Sequence, residues 1–195
     1  MRAAFKYARA AKLPVVSIDK SNVMARYQFW RKNAIRIGAE FPDVPLRHQY
    51  VDSGCELLFT PKELHGVIVC GNEHGDVLSD GALKAVGGLG LMCSSAINPD
   101  TGAAMFESGA GTAPTLAGQN KANPIGRILT AAMMLRHLGA VNGATAIEEA
   151  VRAALRAGFR TEDLLGKDPE VAARLVQTGS LLGTSEMGKL ILSLL

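Results

Sequence analysis

The sequence predicts an α/β fold with a largely parallel sheet and flanking helices. Two short apolar runs of strand type, residues 15–18 and 67–70, stand between segments whose apolar residues recur at helical spacing. Strands that alternate with helices in this way pair in parallel through crossover connections. The 195 residues are 48% hydrophobic, enough apolar side chain to bury a core.

The elements follow in order. Residues 1–12 hold Phe5, Ala8 and Lys12 among strong helix formers, and Pro14 ends that helix. The strand at 15–18 runs into Asp19-Lys20-Ser21-Asn22, where Ser21 or Asn22 is placed to cap the next helix. In that helix Val23, Tyr27, Trp30, Ala34 and Ile37 alternate spacings of four and three and form one buried stripe. Phe41-Pro42-Asp43-Val44-Pro45 is a turn. Residues 46–51 form an exposed or edge strand, since Arg47, His48 and Gln49 interrupt it. A short helix at 52–59, a buried strand at 67–70 and a helix at 75–86 complete this stretch.

Residues 87–126 are Gly-rich, carry Pro99, Pro114 and Pro124, and show little period of either kind. A connection that long inside a compact domain is usually functional. Helices then span about 125–138 and 144–157, the second with Ile147, Val151, Ala154 and Leu155 on one face. A last helix starts near Ser185 with Glu186 in its first turn. The chain divides after residue 97 into an N-terminal segment, residues 1–97, and a C-terminal segment, residues 98–195, or forms one compact unit.

Composition narrows the class further. Lys plus Arg total 21 against 18 Asp plus Glu, a formal charge of +3, and the basic residues are scattered. That pattern gives no nucleic-acid footprint. No uncharged apolar run approaches the ~18 residues of a membrane span, and the N-terminus lacks the pattern of a cleaved leader. Cys55, Cys70 and Cys93 form no Cys-x-x-Cys and are odd in number, as expected of reduced thiols in a cytoplasmic protein.

The most informative segment is Gly75-Asp76-Val77-Leu78-Ser79-Asp80. Asp76 and Asp80 are one helical turn apart, so both carboxylates project from one face within reach of a common cation. Asp76 falls in the first turn of the predicted helix, where the dipole favours negative charge. Like charges at this spacing repel, no Lys or Arg separates them, and hard oxygen ligands suit Mg²⁺ or Mn²⁺. Two acids on a solvated helix face fit the same spacing. Lys20 and Asp52 each end or follow a strand, where α/β sheets build sites, and each taken alone also suits a surface charge.

Longer motifs carry a resemblance. Val15-Val16-Ser17-Ile18-Asp19-Lys20-Ser21-Asn22-Val23-Met24 with Phe29-Trp30-Arg31 resembles the lysine motif of the isopropylmalate/isocitrate dehydrogenase family of metal-dependent decarboxylating dehydrogenases. Tyr50-Val51-Asp52 resembles that family's first metal aspartate, and the run from Asn72 to Asp80 its second and third. Gly111-Thr112-Ala113-Pro114, Ala117-Gly118-Gln119 and Ala122-Asn123-Pro124 resemble its nucleotide loop. Met133-Met134-Leu135-Arg136-His137-Leu138-Gly139, Phe159-Arg160-Thr161-Glu162-Asp163-Leu164 and Thr184-Ser185-Glu186-Met187-Gly188 match its C-terminal pattern.

The resemblance covers nearly the whole chain in order and implies the C-terminal half of the isopropylmalate dehydrogenase fold. It implies a metal site at Asp52, Asp76 and Asp80 holding Mg²⁺ or Mn²⁺, with Lys20 and Asp52 as catalytic residues. A small carboxylic acid of malate type would lose a hydride to NAD or NADP and then CO₂, with Lys20 assisting proton removal. Gly111, Thr112, Ala113, Pro114, Thr115, Leu116, Ala122 and Asn123 would bind the dinucleotide. Residues 1–97 would carry the metal, the lysine and the dimer contact, and residues 98–195 the nucleotide loop and closing helices. In the family the lysine and first aspartate reach the partner's site, which implies a homodimer.

The chain also departs from the family pattern. The match begins well inside longer members, so the substrate-clamping arginines and the proton-donating tyrosine would lie in an N-terminal half, and Tyr7, Tyr27 and Tyr50 stand at no matching position. The family's His before the Gly-Thr-Ala-Pro turn is Ala110 here. Thr115-Leu116 carries neither the acid of NAD users nor the basic-aromatic pair of NADP users. Glu73 and His74 occupy apolar positions, Gly71 replaces an acid, and Ser53-Gly54-Cys55-Glu56 differs from the usual run. Glu73 and His74 are either surface drift or a remodelled site whose acid replaces the missing tyrosine. Three functions follow: half of a dehydrogenase that works with a separate N-terminal subunit or is cut from a longer chain, a self-sufficient metal-dependent keto-acid decarboxylase or isomerase without nicotinamide, and a non-catalytic subunit of a heteromer.

Overall fold

The computed structural model describes residues 1–166 and 168–195. Contacts divide the chain into two compact units, Met1–Ala85 and Val86–Leu195.

The first unit is a three-layer α/β arrangement. Strand β1 (Val15–Asp19) is central, with β2 (Leu46–Tyr50) and β3 (Val67–Val69) parallel on either side in the order β2-β1-β3. Val15 aligns with Leu46 and with Val67. Helices α1 (Arg2–Ala11) and α2 (Ala25–Gly38) supply Phe5, Ala8 and Ile37 to a core that includes Val15. Val16 and Ile18 point to the other face, where α3 (Val51–Leu57) and α4 (Asn72–Val86) contribute Cys55, Leu57 and Leu78. The period-2 alternation of β1 thus feeds two cores, so all five of its residues are buried.

The strand starts are aligned by carbonyls of two proline residues. Pro45 O accepts the Val15 N–H at 2.8 Å, and Pro14 O accepts the Val67 N–H at 2.8 Å. Gly66 makes the second approach possible. Its φ is +144°, and a Cβ there would lie 2.8 Å from Pro14 O.

Burying all of β1 places Ser17 and Asp19 in the interior. Trp30 Nε1 donates to Ser17 Oγ at 3.0 Å. Arg31 donates to both Asp19 oxygens, from Nε at 2.8 Å and Nη2 at 3.0 Å, and the Ser21 N–H adds a third bond at 2.9 Å. Burial pushes the Asp19 carboxyl up. The bonds from Arg31 and Ser21 and the Arg31 charge outweigh it and hold the group below the usual carboxylate range.

The second unit begins with a 3₁₀ turn, Leu89–Leu91, and an antiparallel hairpin of β4 (Ser94–Ile97) and β5 (Ala104–Glu107). Helices α5 (Ile125–His137), α6 (Val141–Arg156), α7 (Pro169–Gln177) and α8 (Thr184–Ser193) follow. Its core joins Ile125, Val151, Ala154, Met187 and Ile191. Gly126 lets α5 seat directly on backbone, since a Cβ there would come within 2.7 Å of Met92 O. Among the described residues no helix is long and apolar enough to cross a membrane.

Several local expectations are corrected. Neither Ser21 nor Asn22 caps α2, because the Ser21 N–H is drawn to Asp19 and the chain turns through 21–23 before Met24 caps. Val23 therefore lies outside the helix and is 68% exposed. Strand β3 is an edge rather than a buried strand, with Ile68 43% exposed. Helix α4 starts at Asn72, so its first-turn acid is Glu73 and Asp76 lies beyond the first turn. Residues 87–126 contain a hairpin and two 3₁₀ turns, and α7 is an additional helix capped by Asp168.

Replacing Arg31 with Met leaves a buried carboxylate without its cation. Urea unfolding should register a loss of about 3–5 kcal/mol, largely recovered when Asp19→Asn is added. A carboxyl with a lowered folded pKa stabilises above its unfolded value of about 4 and loses that contribution as pH falls through the folded value. The acid limb of stability against pH should therefore flatten in the double variant.

Candidate functional site

Parallel pairing brings the C-terminal ends of the three strands to one end of the first unit's sheet. Asp19 is opposite Tyr50 in the register, so the residues after β1 and β2 are neighbours. Lys20 follows β1 and Asp52 sits in the first turn of α3, and the two form an ion pair. The Lys20 side chain is the more enclosed of the two. Its hydrogen bond, ahead of a smaller contribution from His74, holds the Asp52 carboxyl below the ordinary range.

Asp76 and Asp80 are exposed on successive turns of α4. Asp76 accepts a 3.3 Å bond from Asn72 Nδ2. Among the described residues neither aspartate has an ion-pair partner. Two open carboxylates one turn apart are a hard oxygen donor set of the kind that suits Mg²⁺ or Mn²⁺. Within one chain, among the described residues, no three His, Cys, Asp or Glu side chains converge to hold a metal. The structure thus joins Lys20 to Asp52 and sets Asp76 beside Asp80, without gathering all three aspartates in one copy.

The start of α4 also meets the start of α2. Glu73 Oε2 accepts from Arg26 Nη2 at 2.7 Å and from the Tyr27 hydroxyl at 3.3 Å. The His74 ring stacks on Tyr27 with centroids 4.5 Å apart and 11° between planes, and its buried Nδ1 has no partner among the described residues. Burial pushes the Tyr27 phenol up and the Glu73 charge adds to that, so the hydroxyl stays a donor. Arg26 does not figure in the sequence expectation at all, and Tyr27 does not figure in it as a site residue. Tyr27 is readable there only as one member of a buried stripe.

In the second unit Gly111, Thr112, Ala113, Pro114, Thr115 and Leu116 lie at the surface. Residues Pro114–Leu116 form a 3₁₀ turn entered through Ala113 at φ +41°, a left-handed conformation costly for a residue with a Cβ. Asn123 is occupied by the fold itself: its Oδ1 accepts the Ile125 N–H at 2.9 Å and its Nδ2 donates to Asp163 at 3.1 Å. Ala122 O accepts from Thr184 Oγ1 at 2.6 Å.

Asn120 fastens this loop to α8. Its Oδ1 accepts the Ser185 N–H at 2.9 Å, its Nδ2 donates to Glu186 at 2.8 Å, and its carbonyl accepts the Thr184 N–H at 2.9 Å. The Asn120 bond is the main reason the Glu186 carboxyl lies below its ordinary range. The sequence signal was present in Gly118-Gln119-Asn120, since Gly118 and Asn120 both adopt positive φ, +76° and +57°.

A family model described as isocitrate/isopropylmalate dehydrogenase matches residues 1–191. The 3-isopropylmalate dehydrogenase of Sodalis glossinidius is 40% identical over 195 residues, covering 100% of this chain and 50% of that protein. The crystal structure of an isocitrate dehydrogenase from Methylococcus capsulatus aligns with TM-score 0.85 at 33% identity, covering 99% of this chain and 54% of that one. A β-decarboxylating dehydrogenase from Thermococcus kodakarensis gives TM-score 0.80 at 31% identity, covering 99% and 52%. The chain spans about half the length of the curated relatives it matches.

The loop fastening gives a direct test. Asn120→Ala removes two side-chain bonds together worth about 1.4 kcal/mol, so amides of residues 117–122 and Ser185 should exchange with deuterium about tenfold faster. Unchanged exchange would show that the loop is held elsewhere.

Proposed function

The chain belongs to the isocitrate/isopropylmalate dehydrogenase family, and from that membership we propose that it supplies the metal- and lysine-bearing half of a decarboxylating dehydrogenase. The substrate is a malate-type 2-hydroxy acid. The observation that carries this reading is the Lys20–Asp52 pair at the strand ends, in the same unit as two α4 carboxylates that have no ion-pair partner among the described residues.

Asp76 and Asp80 of one copy, with Asp52 of a second, would hold Mg²⁺ or Mn²⁺, which makes a homodimer integral to the reading. A bound divalent cation supplies Lewis acidity toward the substrate hydroxyl and its adjacent carboxylate, and NAD or NADP supplies the hydride acceptor. Lys20 Nζ is the group that moves a proton. Its ammonium donates a hydrogen bond to Asp52, and as the free amine it would take the 2-hydroxyl proton directly or through one water. Asp52 orients that amine. The side chains that clamp the substrate carboxylates come from the half of the relatives that this chain does not match, either in a separate subunit or in a longer chain.

A second reading, a metal-dependent keto-acid decarboxylase that uses no nicotinamide, is favoured by Asn123. Its amide is engaged at both ends within the fold, by the Ile125 N–H and by Asp163.

Thermal unfolding with Mn²⁺ tests the metal site. At about a hundredfold excess over Kd the cation should add about 2.7 kcal/mol to stability, and Asp76→Asn or Asp80→Asn should abolish the gain. With the N-terminal half of a relative supplied, malate-type acids should reduce NAD(P)⁺. Mn²⁺-dependent CO₂ release from a keto acid without NAD(P)⁺ would decide for the second reading.

A further inference from the structure

Glu73 lies three residues before Asp76 and seven before Asp80, so all three share one side of α4. Its pair with Arg26 is open to solvent, with side chains 65% and 58% exposed. Exposed pairs of this kind contribute little to stability, so the fold does not depend on it. The platform beneath is fixed: Tyr27 is 6% exposed, stacks on His74 and carries the Arg26 guanidinium 5.2 Å from its ring centroid. A Cβ at Gly71 would be in ordinary van der Waals contact with the phenol, 3.8 Å from its hydroxyl.

We propose that the Arg26–Glu73 pair selects the substrate's side group at the α4 site, favouring a hydroxyl and disfavouring a branched alkyl group. This rests on the reading of Asp76 and Asp80 as the metal-holding pair. A hydroxyl donates to the Glu73 carboxylate and accepts from an Arg26 N–H, so both charges keep a partner when water leaves. A branched alkyl group displaces water from both charges and returns no hydrogen bond, which is a net cost. A further carboxylate is attracted by Arg26 and repelled by Glu73. The hydroxyl alone matches both.

The test uses the full chain, with the N-terminal half of a relative supplied as in the activity assay, saturated with Mn²⁺ and titrated calorimetrically with malate, 2,3-dihydroxybutanedioate and 3-isopropylmalate. The dihydroxy acid should bind about tenfold more tightly than the isopropyl acid. Arg26→Leu with Glu73→Leu should abolish or reverse that ratio, while Glu73→Gln, whose amide both donates and accepts, should keep it. Circular dichroism and urea midpoints establish that the variants fold, and Arg26→Gln reads the same ratio if the double variant does not. Equal affinities, no binding of any acid, or a preference unmoved by the double variant overturns the proposal while Mn²⁺ binding stands. Failure of the unaltered chain to bind Mn²⁺ overturns the metal reading together with it.

Discussion

A carboxylate at the buried end of a central strand has to be matched, and Asp19 organises the first unit around that requirement. It is fully buried, and an isolated carboxylate there would cost several kcal/mol. Arg31 answers from one turn inside α2 with a bidentate bond, which fixes the rotation of that helix over the sheet. The same guanidinium lies 4.7 Å from the centroid of Tyr50, the last residue of β2. One cation therefore ties the ends of β1 and β2. Lys20 and Asp52 are the residues just past those ends, so their pairing follows from a contact in which neither is involved.

Not all charge near this end of the sheet is spent on stability. The Asp19–Arg31 pair is enclosed and satisfied, whereas Arg26–Glu73 is open to solvent and Asp76 and Asp80 have no cation among the described residues. Like charges one turn apart destabilise a helix by a few tenths of a kcal/mol. Val77, between them, is 65% exposed. An apolar residue and two open acids on one stretch of helix add nothing to a solvated surface, which is the ground for the second copy and the cation proposed above.

Much of the fold was readable from period alone. The apolar run at 15–18 gave β1, Arg47, His48 and Gln49 marked β2 as an edge, and the stripe Tyr27, Ala34 and Ile37 gave the buried side of α2. What the sequence hid was burial that runs against residue type. Asp19 reads as a strand-end surface acid, because the partner that makes it an interior residue stands twelve positions away on another element. The early start of α4 was masked by Glu73 and His74, polar residues that pair with Arg26 and stack on Tyr27. The β4–β5 hairpin escaped because Ser94-Ser95-Ala96-Ile97 offers one large apolar residue and no alternation. Helix α7 had legible signals, a capping Asp168 followed by Pro169 at the first helical position.

The candidate site was legible as chemistry before it was legible as geometry. Spacing placed Asp76 and Asp80 on one helix face, and strand ends placed Lys20 and Asp52 near one another, since both follow from local periodicity and parallel register. Spacing has no means to reveal Asn120, whose function depends on contacts with residues more than sixty positions away. Its left-handed backbone turns the loop back on itself, and its carbonyl then takes the Thr184 N–H while its side chain takes the Ser185 N–H and the Glu186 carboxylate. Among the described residues the Gly111–Leu116 stretch is held by local bonds, those of the Ala113 turn and of Gln119 Nε2 to Thr115 O. The order of the loop that ends at Asn123 is thus set at its far end, by Asn120.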